Sequence, residues 1–156
     1  MTYRAKVRTC LCLESRGLEA AEYFVALLPW SAIDAVLAQG NPDDPMIVEF
    51  TLHGAPMMIM SGGPPYKLSP AASISVLTKD QDETDRLWSA LVSDGGAAGR
   101  CGWLTDRWGV SWQIVPEALP RFLTASDRVA AGRAMSAMMA MTKIDIGALD
   151  AAFHDS

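Results

Sequence analysis

The sequence predicts an α+β fold, two tandem βαβββ units with a C-terminal helical extension. Three observations carry this expectation. Apolar and polar residues alternate over Lys6 to Glu14 and again over Val110 to Val115, the period of half-buried strands. Apolar residues recur at helical spacing from Leu18 to Leu28 and from Asp82 to Val92, each time after the opening strand of one half. The element order of the first half then returns in the second. Glu19, Phe24 and Leu27 align with Glu83, Trp88 and Leu91, and the hairpin residues Gly54, Met58 and Ile59 align with Gly109, Gln113 and Ile114.

Taken in order, the opening strand places Leu11 and Leu13 on one face and Arg8, Cys10 and Cys12 on the other, and Gly17 breaks it. The helix Leu18 to Leu28 ends before Pro29. A strand from Ser31 to Gln39 stops at Gly40-Asn-Pro-Asp-Asp-Pro45, and strands Met46 to Leu52 and Pro56 to Met60 flank a His53-Gly54 hairpin turn. This first unit spans 5–62, with a Gly/Pro linker over 63–70. The second unit, 71–116, opens with the strand Ala71 to Thr78, and Asp80 to Glu83 supply capping and acidic first-turn residues. Its helix buries Leu87, Trp88 and Leu91 and stops near Asp94-Gly95-Gly96. Gly99 to Pro116 holds Trp103, Trp108 and Trp112 and reads as two short strands around an Asp-containing turn, with Gln113 opposite Trp112. Segment 117–156 changes character after Pro120. Ser126-Asp127 cap a helix through Met141 whose Val129, Met135, Met138, Met139 and Met141 read as ordinary packing, and Ile144 to Leu149 reads as a short final helix beside a mobile terminus. All of 1–156 is expected to form a single domain.

Composition narrows the functional classes. Half of the 156 residues are apolar, a fifth are charged and the net charge is −5. No clustered Lys/Arg stripe is present, so nucleic acid is not an expected partner. Apolar runs fall short of the ~20 residues of a membrane helix, and charges interrupt any signal-like segment at the N-terminus, so no membrane association and a cytoplasmic location are expected. Cys10, Cys12 and Cys101 form no CxxC pair and read as buried small apolar residues. Strand neighbours two apart do not close a disulfide easily.

Several blocks resemble the PhnB-like family, often labelled demethylubiquinone methyltransferase-like, of the vicinal oxygen chelate superfamily of glyoxalases, bleomycin-resistance proteins and dioxygenases. They are Glu19-Ala-Ala-Glu-Tyr-Phe24, Glu49-Phe-Thr-Leu52 with Gly54, Gly62-Gly-Pro64 and Gly99-Arg-Cys-Gly-Trp-Leu-Thr-Asp106. Gly109-Val-Ser-Trp-Gln-Ile-Val-Pro116, and Met138-Met139 with Lys143-Ile-Asp-Ile146, complete the set. The resemblance implies a homodimer whose sheets form cup-shaped cavities. In metal-dependent relatives, His, Gln or Glu ligands face the cup from the first and last strands of each unit. Here the DPxGxxxE pattern ends in Gln113, the matching first-unit position is Met58, and Ser73, Ile74 and Ser75 stand where a ligand His is expected. One amide, small hydroxyls and a thioether make a poor divalent site, so no metal and no cofactor are expected.

Methyl transfer from S-adenosylmethionine in its common fold uses a glycine-rich turn between strand and helix, and no GxGxG follows a strand here. Neither His53 nor His154 accompanies a nucleophile motif. The leading expectation is a metal-free dimer binding a small molecule in an apolar cup lined by Cys10, Cys12, Met58, Met60, Ser73, Ser75 and Gln113. For Gln113, ligand contact and a structural hydrogen bond both stay open. Two alternatives stand beside it. One is a glyoxalase- or dioxygenase-type enzyme with a metal on Glu14, Glu49 and Gln113; the other is a scaffold dimer with a filled cavity.

Overall fold

A computed structural model of the chain describes residues 5–37 and 41–155. The chain divides into two compact units, Met1–Leu68 and Ser69–Ser156, and the boundary falls within the Gly/Pro stretch 63–70.

The first unit runs β1 (Thr9–Leu13), α1 (Gly17–Leu27), β2 (Ala32–Leu37), β3 (Ile47–Leu52) and β4 (Ala55–Ser61). Its sheet has the order β1-β4-β3-β2, with β1 parallel to β4 and the other pairs antiparallel. The parallel pair requires a crossover, and α1 is part of it. That helix covers one face, where Ala20, Ala21 and Phe24 are buried with Leu11, Leu13, Val48, Phe50 and Ile59. The break after β1 lies at Arg16, whose φ is 62°, and Gly17 instead begins the helix. Glycine is required there because a Cβ would meet Ser61 Oγ at 2.2 Å, and its N–H donates to that same oxygen at 3.1 Å. His53 and Gly54, both at positive φ, form the tight turn between β3 and β4. The end of the expected Ser31 to Gln39 strand, and Gly40 after it, lie outside the described residues.

The second unit repeats the plan: β5 (Ser73–Thr78), α2 (Gln81–Val92), a 3-10 turn at Ser93–Gly95, β6 (Ala97–Ala98), β7 (Trp103–Thr105) and β8 (Ser111–Pro116). Sheet order is β5-β8-β7-β6, again with the first and last strands parallel. Asp80 caps α2 by accepting from Glu83 N–H. Leu87, Trp88 and Leu91 are buried with Leu104, Trp112 and Ile114. The three tryptophans divide their roles. Trp112 fills the core, Trp108 stacks under Arg107 at the turn, and Trp103 lies beside Gln113 in the ladder.

The turn before β8 is organised by the buried Asp106 carboxylate. One oxygen accepts from Trp108 N–H at 2.9 Å and Val110 N–H at 3.0 Å, and the other from the Trp112 indole N–H at 2.8 Å. Burial pushes this carboxyl above its ordinary value, against the pull of those donors.

Three helices follow: α3 (Ala118–Leu123), α4 (Arg128–Ala140) and α5 (Ile146–His154). Four expectations are corrected here. Pro120 does not mark a boundary but sits in the first turn of α3, where its missing N–H has no intrahelical partner to lose. Only part of the Met-rich set in and after α4 packs: Met138 and Met141 lie on the C-terminal core, while Val129, Met135 and Met139 are exposed and the fully buried α4 residues are Ala130, Ala131 and Ala134. The last helix is capped by Asp145 and extends through His154, whose ring nitrogen meets the Asp150 carbonyl at 3.0 Å. The cysteines are not core residues either, since Cys10 is exposed and Cys12 and Cys101 are half-buried.

Leu119, Ile144 and Leu149 form the core of this segment, with Val115, Phe122 and Met138 packed on it. Polar ties fasten it to α2. Gln81 donates to the Ile144 carbonyl and accepts from Ile146 N–H, and Lys143 pairs with Asp85 at 2.6 Å. The Asp85 carboxyl is held below its ordinary 3.8, chiefly by the hydrogen bond from Lys143 and then by that from Gln81.

Two outcomes are expected. Asp106→Ala leaves three N–H donors of the turn without their acceptor and lowers stability by about 2–4 kcal/mol in urea denaturation. The Asp85 tie contributes above the ordinary 3.8 and is lost as pH falls through the lowered value, so Lys143→Met should speed amide exchange across 141–146 at neutral pH. As both side chains are well exposed, that effect stays below ~1 kcal/mol, and the variant and parent should converge in acid.

Candidate functional site

Each sheet has one face under the helix of its own βαβββ unit, and the opposite, open face of the first carries an ionic cluster. Leu11 and Leu13 point to α1, so by strand alternation Arg8, Cys10 and Cys12 point away from it. The same rule puts Met58 and Met60 of β4 and Glu49 and Thr51 of β3 on the open face. A β-bulge between Ile33 and Ala35 in β2 brings Asp34 to it.

Arg8 lies at the centre, its side chain only 9% exposed. Its Nη1 lies 2.8 Å from Asp34 Oδ2 and donates to the carbonyls of Phe50 at 2.9 Å and Met57 at 3.2 Å. Thr51 donates its hydroxyl to Asp34 at 2.9 Å. Arg8 Nε is buried without a hydrogen-bond partner, and Glu49 Oε2 stands 3.7 Å from it, too far for a direct bond. A concavity of about 710 Å³ opens over this cluster, walled by Ala5, Ile33, Leu37 and Pro56 and carrying Arg8, Asp34, Glu49 and Thr51. Guanidinium, carboxylate and hydroxyl groups against apolar walls can orient a small polar molecule.

The residues named from sequence fall into two sets, one per unit. Cys10 pairs with Met58 and Cys12 with Met60 along the parallel ladder of the first sheet, beside the concavity and not in its wall. Burial and the neighbouring Cys12 raise the Cys10 thiol above its ordinary value. Ser75 pairs with Gln113 in the second sheet, and Gln113 Nε2 donates to Ser73 Oγ at 2.8 Å. The amide therefore has a structural partner.

The registers also equate the two units. Cys10 opposite Met58 corresponds to Ser75 opposite Gln113, which makes Arg8 the counterpart of Ser73 and Glu49 the counterpart of Trp103. Arg8, Asp34 and Thr51 of this cluster lie outside the set of site residues named from sequence, and Asp34 is the least legible of them. Only the bulge brings it to Arg8, and no local pattern marks it. Among the described residues no three His, Cys, Asp or Glu side chains converge as a metal set. Glu14 is exposed beyond the end of β1, and Gln113 bonds to Ser73, so the residues within each unit do not fit a divalent ion.

Nor do the strand-to-helix junctions fit S-adenosylmethionine in the way its common fold binds it. The α1 junction directs Gly17 N–H to Ser61, and the α2 junction is closed by the Asp80 carboxylate. Arg8→Met removes the buried cation that faces Asp34 and Glu49 and should cost about 3 kcal/mol of stability. Adding Asp34→Asn and Glu49→Gln should restore more than half of it, read by urea denaturation.

Comparison with known proteins agrees with this architecture. A PhnB protein of Bacillus cereus is 25% identical, with a TM-score of 0.65, over 72% of this chain and 99% of its own. Protein PA1353 of Pseudomonas aeruginosa is 22% identical, with a TM-score of 0.60, over 73% and 98% of the two chains. The fosfomycin resistance protein FosX of Listeria monocytogenes, 14% identical with a TM-score of 0.55 over 77% and 97%, shares the fold. No curated protein matches the sequence. Residues 5–115 match the 3-demethylubiquinone-9 3-methyltransferase family, which leaves the three C-terminal helices outside the matched region. The chain belongs to that family, in its PhnB-like branch, and has the glyoxalase/bleomycin resistance fold of the vicinal oxygen chelate superfamily.

Proposed function

We propose that this chain is a small-molecule-binding protein that works without a divalent metal, as a homodimer in the cytoplasm. The observation that supports it is the concavity of about 710 Å³ on the open face of the first sheet, within the usual size range of ligand pockets. Its polar groups define the ligand. A hydrogen-bond acceptor suits the guanidinium of Arg8, a donor suits Asp34, and an apolar body suits Ile33, Leu37 and Pro56. Methyl transfer is not proposed, because the strand-to-helix junctions are closed by Ser61 and Asp80. The dimer is supported by apolar side chains left on open sheet faces, such as Leu77 of β5, which is 62% exposed.

The test joins elemental analysis after dialysis against Zn²⁺, Ni²⁺, Mn²⁺ and Fe²⁺ to a thermal-shift screen of small polar compounds. Expected are no retained divalent ion, a dimer by sedimentation, and hits whose stabilisation disappears in Arg8→Met. A ligand at about one hundred times its Kd adds roughly 2.7 kcal/mol. One tightly held divalent ion per chain would replace this proposal with the metal-dependent enzyme.

A further inference from the structure

Four sulfur-bearing residues occupy two adjacent register pairs on the open face of the first sheet. Cys10 lies beside Met58 and Cys12 beside Met60 on the parallel strands β1 and β4. Directly paired residues point to one face with backbones about 4.8 Å apart, and residues two apart on a strand are separated by about 6.6 Å. The intervening Leu11 and Ile59 are buried on the other face, so all four side chains leave the sheet on the side away from α1. The nearest carboxylate in the register, Glu49 beside Met58, stands 3.7 Å from the Arg8 guanidinium.

Two thiols and two thioethers are soft ligands, poorly matched to Mg²⁺, Ca²⁺ or Mn²⁺ and well matched to Cu(I). The strand spacing favours a bridging ion over a disulfide. A sulfur–sulfur bond must close to about 2.05 Å, whereas two metal–sulfur bonds of about 2.3 Å let the thiolates stand up to ~4.6 Å apart. Both cysteines are free in the structure.

We propose that Cys10, Cys12, Met58 and Met60 form a binding site for Cu(I), with the two thiolates as principal ligands and thioether sulfur completing the coordination. Binding breaks two S–H bonds, forms two copper–thiolate bonds with release of two protons to solvent, and adds copper–thioether coordination that breaks no bond of the protein. Copper remains Cu(I), and no oxidant or reductant is consumed. The site lies beside the concavity and does not depend on it, so failure of the small-molecule screen leaves it standing. It is also distinct from a divalent centre, for which the convergent His and carboxylate groups are missing among the described residues.

The test uses the full chain carrying Cys101→Ser, because Cys101 Sγ lies 3.8 Å from Met139 Sδ in the second unit and is a competing soft pair. Reduced protein is titrated anaerobically with Cu(I) against a chromophoric Cu(I) chelator, and the loaded sample is examined by X-ray absorption. Expected are one Cu(I) per chain and a sulfur-only first coordination sphere. Cys10→Ser or Cys12→Ser should weaken binding by about 100-fold or more, and the Met58→Leu/Met60→Leu double variant by about 10-fold. Far-ultraviolet circular dichroism confirms that each variant is folded. Failure of the folded parent to compete with the chelator would overturn the site. So would unchanged affinity in both serine variants, nitrogen or oxygen ligands on the copper, or tighter retention of Zn²⁺ than of Cu(I).

Discussion

Parallel pairing between the first and last strands of each unit is the constraint from which the rest follows. Two parallel neighbours cannot be joined by a tight turn, so the chain must leave the sheet and return, and its helix packs on one face. Strand alternation then sorts every residue. One parity becomes core, as with Leu11, Val48, Ile59, Trp112 and Ile114; the other faces away from the crossover helix. Chemistry that needs solvent access is confined to that second parity, and the charged cluster around Arg8, the four sulfurs and the Gln113–Ser73 pair all occupy it.

On this common frame the two units carry different chemistry at equivalent places. Arg8 and Glu49 in the first unit correspond to Ser73 and Trp103 in the second, and Met58 corresponds to Gln113. The first face is ionic and sulfur-rich, while the second is neutral and hydrogen-bonded.

Much of the fold was legible because its signals are local. Strand alternation placed Cys10, Cys12 and Gln113 on their faces, Asp80 and Asp127 announced helix starts, and His53-Gly54 announced a hairpin. Strand ends were less legible: Lys6 to Glu14 shortens to Thr9–Leu13 because pairing with β4 covers only that span. The Arg8–Asp34 contact joins residues distant in sequence through a bulge that breaks the alternation, so no local pattern reveals it. α3 was hidden by Pro120, a residue that reads as a breaker but is compatible with a first turn. At Val129, Met135 and Met139 hydrophobic size suggests burial, yet these are exposed and the buried positions of α4 are small alanines, while Met138 and Met141 pack as their size suggests.

That last point has a consequence for how the C-terminal segment can change. The fully buried side chains of α4 are Ala130, Ala131 and Ala134, which let its backbone approach its neighbours closely and have no flexible end to give way. Mutational tolerance along this helix is therefore the reverse of what hydrophobicity suggests. The large apolar positions Val129 and Met135 are free to drift, while the small and chemically plain alanines are the ones that selection must hold.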